Sequence, residues 1–185
     1  MTYADICRAV EKVIRKHGEN DPFRLCDDMG IVLIPHSLGT GEGAIKGFFL
    51  ENKRVKTITY NSDLPEVIRR IIVAHEIGHA ELHCRSGVHA FHDVGIFDES
   101  TAFEKEANLY AAELLLKDED VLEKLNEDNT FFSAASALKV PVELLDFKFR
   151  IMKWKGYKLT EPPISSRSDF LRDLEVPSDA DGYTD

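Results

Sequence analysis

The chain has 185 residues, 43% of them hydrophobic and 30% charged, with a formal net charge of -10. That length suffices for one compact domain burying roughly 70% of the surface its unfolded chain would expose, so no metal is needed merely to hold it together. No apolar run approaches a membrane span, no Lys/Arg cluster offers the basic face that direct nucleic-acid binding needs, and Cys7, Cys26 and Cys84 are too few and too scattered for a disulfide framework.

In chain order, the opening MTYADICRAVEKVIRKHGEN mixes acids among its apolar residues, which fits neither a signal nor a transit peptide, and a cytoplasmic protein is expected. Ile6, Val10, Val13 and Ile14 recur at helical spacing between Tyr3 and His17, with Gly18 suited to end the helix. Asp21-Pro22 reads as the cap and first turn of a second helix that Gly30 closes, and the run from Ile31 to Pro35 reads as a strand. Gly39 to Gly43 forms a loop with neither a GxGxxG nor a Walker pattern. Ala44 to Leu50 and Arg54 to Tyr60 then make a β-hairpin turning at Glu51, Asn52 and Lys53.

Asn61 or Ser62, with Leu64-Pro65, opens a long helix through PEVIRRIIVAHEIGHAELH. A further helix runs from Phe103 to about Leu116, followed after Asp118 by a short acidic one, VLEKLNE. FFSAASALKV and PVELLDFKFRIMKW, separated at Val140-Pro141, form a closing helical hairpin that is not basic enough to read DNA. The fold expected is α+β: a mainly helical domain over residues 1–159 with a sheet of about three strands. Residues 160–185, rich in Pro, Ser and Asp, follow as an acidic extension.

The chemistry concentrates in HEIGH. His75 and His79, four residues apart on a helix, share a face about 6 Å apart along the axis, so one small cation can bridge them. Glu76 is rotated about 100° from His75 and can flank the metal as a general base without being a ligand. Two neutral imidazoles and one carboxylate leave a position for water, which favours Zn2+. Gly78 permits close packing beside the ion. An H-E-x-x-H string also arises by chance, and two histidines in a core are often just hydrogen-bonded; the unbroken apolar helix around this one argues for the site.

FEKEANLYAAELLL offers Glu104, Glu106 and Glu113 as the third ligand. Glu104 shares its face with Ala107, Asn108 and Ala111, small residues that let helices approach, and is chosen; Glu106, on a more polar flank with Tyr110 and Glu113, is held in reserve. Asn108 is placed to hold a ligating imidazole in one tautomer. His83 extends the i+4 series, without the downstream spacing of a metzincin, and reads as a support outside the ligand set or as the helix end. Cys84 is a conceivable extra ligand, His89, His92 and Asp93 could overhang the cleft, and Tyr60 and Tyr110 are candidate oxyanion donors.

Together SDLPEVIRRIIVAHEIGHAELH and EKEANLYAAELLL resemble the ImmA/IrrE family of metallopeptidases, in which a long HExxH helix precedes an ExEAN-type helix. The resemblance extends loosely to about Trp154 and stops before Thr160; one departure is LLLKDED where the family usually has LLMP. It implies a zincin-like peptidase with His75, His79 and Glu104 as zinc ligands and Glu76 as base. It further implies a helix-turn-helix repressor as substrate, cut to relieve repression, often at mobile-element or stress-response loci. The rival expectation is a zinc-containing regulatory module that controls a transcription factor without cleaving it.

Overall fold

The computed structural model describes residues 1–41, 43–83, 97–126 and 130–159, and the backbone of 90–93. Among these lie seven helices and four strands: α1 (Tyr3–His17), α2 (Pro22–Met29), β1 (Val32–His36), β2 (Gly47–Asn52), β3 (Val55–Asn61), α3 (Glu66–Leu82), β4 (Ala90–Asp93), α4 (Ala102–Leu115), α5 (Asp118–Asn126), α6 (Phe131–Ala137) and α7 (Val142–Trp154). The expected α+β architecture is present, mainly helical with one small sheet.

Local signals explain most boundaries. Thr2 and Asp5 form a reciprocal capping box at the start of α1, and Gly18, at φ 69°, ends that helix in the left-handed conformation that glycine adopts without strain. Asp21 accepts from the backbone N–H groups of Phe23 and Arg24 at the start of α2. The hairpin turns one residue later than expected: Lys53 and Arg54 both have positive φ, 47° and 70°, as a two-residue type I′ turn requires. Neither residue carries the Asn-Gly signature that would have located it.

Asn61 does not cap α3. Buried at the end of β3, it donates to the carbonyls of Gly39 and Ile45 and accepts from the N–H groups of Leu38 and Asp63, tying the glycine loop to the sheet. Pro65 precedes α3 without a side-chain cap.

The sheet has the order β1-β3-β2-β4, with β1 parallel to β3 and β2 antiparallel to both β3 and β4. The fourth strand is the departure from the three-stranded expectation. Ala90–Asp93 lies between the two helices that carry the site, where the sequence pattern places no strand, and its strand character comes from pairing with Gly47–Leu50 of β2.

Helix α3 is the centre of the molecule. Ile71, Ile72, Val73, Ala74 and Ile77 are all buried, an apolar surface all round that needs cover on every side. Strands β2 and β3 cover one side through Gly47, Phe49 and Ile58, and α4 covers another. Among the described residues no helix is long and apolar enough to cross a membrane.

Candidate metal centre

Helix α3 carries His75, Glu76 and His79, all essentially inaccessible to solvent. The four-residue spacing brings His75 Nε2 to 3.0 Å from His79 Nε2, with the rings 74° apart. Glu104 enters from the first turn of α4, whose start is capped by the Thr101 hydroxyl accepting from the Glu104 N–H. Its Oε2 lies 3.2 Å from His75 Nε2 and 3.5 Å from His79 Nε2.

These three atoms form a triangle of donors that could hold a metal ion. A tetrahedral ion with bonds of about 2.0–2.1 Å separates its ligand atoms by about 3.3 Å, which the three observed separations bracket. The donor chemistry fits as well: two imidazole lone pairs and a carboxylate face one another, an arrangement a cation stabilises. Burial pushes the His79 imidazole down to about 4, which keeps it in the neutral, electron-pair-donating form. Burial works to raise the Glu104 carboxyl, but the adjacent His75 and His79 outweigh it and hold it below its ordinary range, in the ionised form.

Each imidazole is also held from behind. His75 Nδ1 donates to Asn108 Oδ1 at 2.9 Å, and the Asn108 amide is oriented by donating to the Asp98 carbonyl at 2.8 Å. His79 Nδ1 lies 3.0 Å from His83 Nδ1, and His83 Nε2 lies 3.0 Å from Glu106 Oε2. The Met1 ammonium rests against the other oxygen of Glu106. Burial lowers the His83 pKa, opposed by its bond to Glu106. Glu106, the reserve candidate, thus meets His83, while Glu104 meets the histidine pair.

Two glycines set how closely the elements approach. A Cβ on Gly78 would stand 3.1 Å from Tyr110 Cβ and 3.2 Å from Ala107 Cα, so the crossing of α3 and α4 depends on its absence. A Cβ on Gly47 would stand 2.5 Å from Ile72 Cγ2 and 3.4 Å from Glu76 Oε1, so glycine in β2 leaves the space in which Glu76 lies.

Tyr60 sets its ring edge-on against Phe23, at 5.4 Å between centroids. The Tyr110 hydroxyl is buried, and its pKa is raised by that burial and by the charges of Glu81 and Cys26. Cys84 and His89, and the side chains of His92 and Asp93, lie outside the described residues. Sequence reasoning missed the anchor of the segment leading into α4. Arg150 Nη1 holds both oxygens of Glu99 at 2.9 and 2.8 Å, its Nη2 reaches Asp146 at 2.7 Å, and Phe97 stacks on Phe147. The four-residue spacing of Asp146 and Arg150 was the available signal.

A buried histidine pair on one helix, a carboxylate from a crossing helix and an acid beside them are the marks of the metallopeptidase class. Comparison with known proteins narrows this. Residues 26–150 match the IrrE N-terminal-like domain, and the chain belongs to that family of metallopeptidases. It is 35% identical over 146 residues to "Uncharacterized immunity region protein 2" of Bacillus phage phi105, covering 79% of this chain and 90% of that protein. It is 29% identical over 150 residues to "Metallopeptidase ImmA" of Bacillus subtilis (strain 168), covering 80% of this chain and 85% of the relative.

Proposed function

We propose that this chain is a cytoplasmic zinc peptidase that cuts a protein substrate, a helix-turn-helix transcriptional repressor. The observation that carries the reading is the triangle of His75 Nε2, His79 Nε2 and Glu104 Oε2, all within 3.5 Å of one another, with fully buried Glu76 next in sequence to the first of them. Zinc is favoured over harder ions because two of the three donors are imidazole nitrogens. The repressor is favoured by the relatives, one named for a phage immunity region and the other a metallopeptidase. In this reading residues 1–159 form the peptidase domain and residues 160–185 extend it.

His75, His79 and Glu104 would hold the zinc. When bound, that ion supplies Lewis acidity toward water and the scissile carbonyl. Glu76 acts as general base: it takes the proton of the attacking water and returns it to the leaving amine. Asn108 keeps the Nδ1 proton of His75 engaged, which leaves the Nε2 lone pair of that ring for the ion.

The test is elemental analysis of the purified chain, followed by incubation with the repressor encoded beside its gene. Stoichiometric zinc and discrete fragments are expected, with Glu76→Gln retaining zinc and producing none. A stable complex with intact repressor would instead identify a regulatory binder, and fragments from the Gln variant would remove Glu76 from its role.

A further inference from the structure

We infer that His83 and Glu106 are positioning residues that dictate which nitrogen of His79 faces the metal, by a hydrogen-bond relay whose direction is set at its far end. The inference rests on the reading of His79 as a ligand. The geometry is a continuous line of three side chains, from His79 Nδ1 to His83 Nδ1 at 3.0 Å and from His83 Nε2 to Glu106 Oε2 at 3.0 Å.

The direction follows from donor and acceptor capacity. An ionised carboxylate only accepts, so the ring proton of a neutral His83 is drawn to Nε2. His83 Nδ1 is then a lone pair and can only accept, which places the proton of His79 on its Nδ1. His79 Nε2 is left as the lone pair that points at His75 and Glu104. Reversing any link would put a hydrogen inside the donor triangle, where it would block a cation.

The two ligating rings are therefore secured differently. Behind His75 stands a neutral amide, Asn108, fixed by the backbone at Asp98. Behind His79 stands an anion, relayed through a second imidazole. The carboxylate strengthens His79 as an electron donor through that imidazole, an extended form of the carboxylate–histidine pairing that supports metal sites. Three observations show that the relay is built into the packing. His83 caps the C-terminus of α3 four residues beyond His79, with its N–H on the His79 carbonyl, its side chain is 1% exposed, and Phe103 packs on its ring at 4.7 Å between centroids. Glu106 projects from α4 on the flank that Glu104 does not use.

The experiment combines metal competition with imidazole nitrogen NMR on the full chain. In the metal-free wild type, the spectra should show His79 protonated at Nδ1 and His83 at Nε2; the opposite tautomers overturn the relay whatever the metal data say. Against a chelating indicator, His83→Leu and Glu106→Leu should weaken Zn2+ binding by about 10–100-fold. Glu106→Gln still offers an acceptor oxygen and should lose less. The Co2+ absorption spectrum should shift in both Leu variants, and the His79 tautomer should become mixed.

Unchanged zinc affinity, cobalt spectrum and tautomer in these variants would sink the relay while leaving the metal site standing, provided His79→Ala abolishes binding. A wild type that takes up neither Zn2+ nor Co2+ would defeat the metal reading itself, and the metal-free spectra would still decide the tautomers. Should a Leu variant fail to fold, Glu106→Gln and the wild-type spectra carry the decision.

Discussion

Helix α4 buries charge at both ends, with opposite results. At its N-terminal end Glu104 joins the His75 and His79 imidazoles in a triangle of possible ligand atoms. At its C-terminal end Glu113 joins a knot of matched ions. Lys148 Nζ lies 2.6 Å from both Glu113 and Asp118, and Lys155 Nζ reaches the same two carboxylates at 2.7 and 2.9 Å. Two cations and two anions neutralise one another, so the knot has no call on anything outside the chain. The triangle instead brings together three groups that could each offer a ligand atom to an ion. Burial of charge alone therefore does not single out a candidate metal site; the convergence of ligand atoms does.

The contrast is easiest to break at its extremes. His79→Ala should reduce zinc content to background by elemental analysis, with the circular dichroism of the helices retained. Lys148→Met should do the reverse, leaving zinc content intact while the half-buried Glu113 and Asp118 keep Lys155 but lose the buried cation. Removing one partner of a buried ion pair costs about 3–5 kcal/mol, to be read from denaturant unfolding. If Lys148→Met emptied the metal site as well, the two ends of α4 would not be independent.

Gly78→Ala probes the helix crossing between them. The added methyl must push against Ala107 and Tyr110, and overpacking of this kind costs about 1–3 kcal/mol. Because the same crossing carries Glu104 to the histidines, zinc affinity should fall with stability. A stable Gly78→Ala protein with weakened zinc binding would show that the crossing serves the site more than the core.

Smaller effects sharpen the view of the core and the surface. Burial pushes the Cys7 thiol up to about 11 and the Cys26 thiol up to about 12, so neither should be alkylated in the native chain at neutral pH. Peptide mapping after labelling checks this. At the exposed start of α1, hydrogen bonds from Thr2 and then Arg8 hold the Asp5 carboxyl at about 2, below its ordinary 3.8. The folded form thus favours the ionised group. The stabilisation is fully present above pH 3.8 and disappears as pH falls toward 2, so the thermal midpoints of wild type and Asp5→Asn should converge over that window.

What could be read from the sequence was what local periodicity controls. The shared face of His75 and His79, the offset of Glu76, the capping of α1 and α2 and the closing helices all follow from 3.6 residues per turn and from short-range capping chemistry. The small residues Ala107, Asn108 and Ala111 on the same face of α4 also favour Glu104 over Glu106, and Glu104 lies beside the histidine pair.

Tertiary structure decided the rest, because those contacts join residues far apart in the chain. Strand β4 exists through pairing with β2, and Asn61 serves the glycine loop because the loop folds back over it. Glu106 meets His83 only once α3 and α4 cross, and Arg150 secures Glu99 from across the molecule. Helical spacing reveals which side chains share a face, but the neighbour facing them is set by the packing of the whole chain.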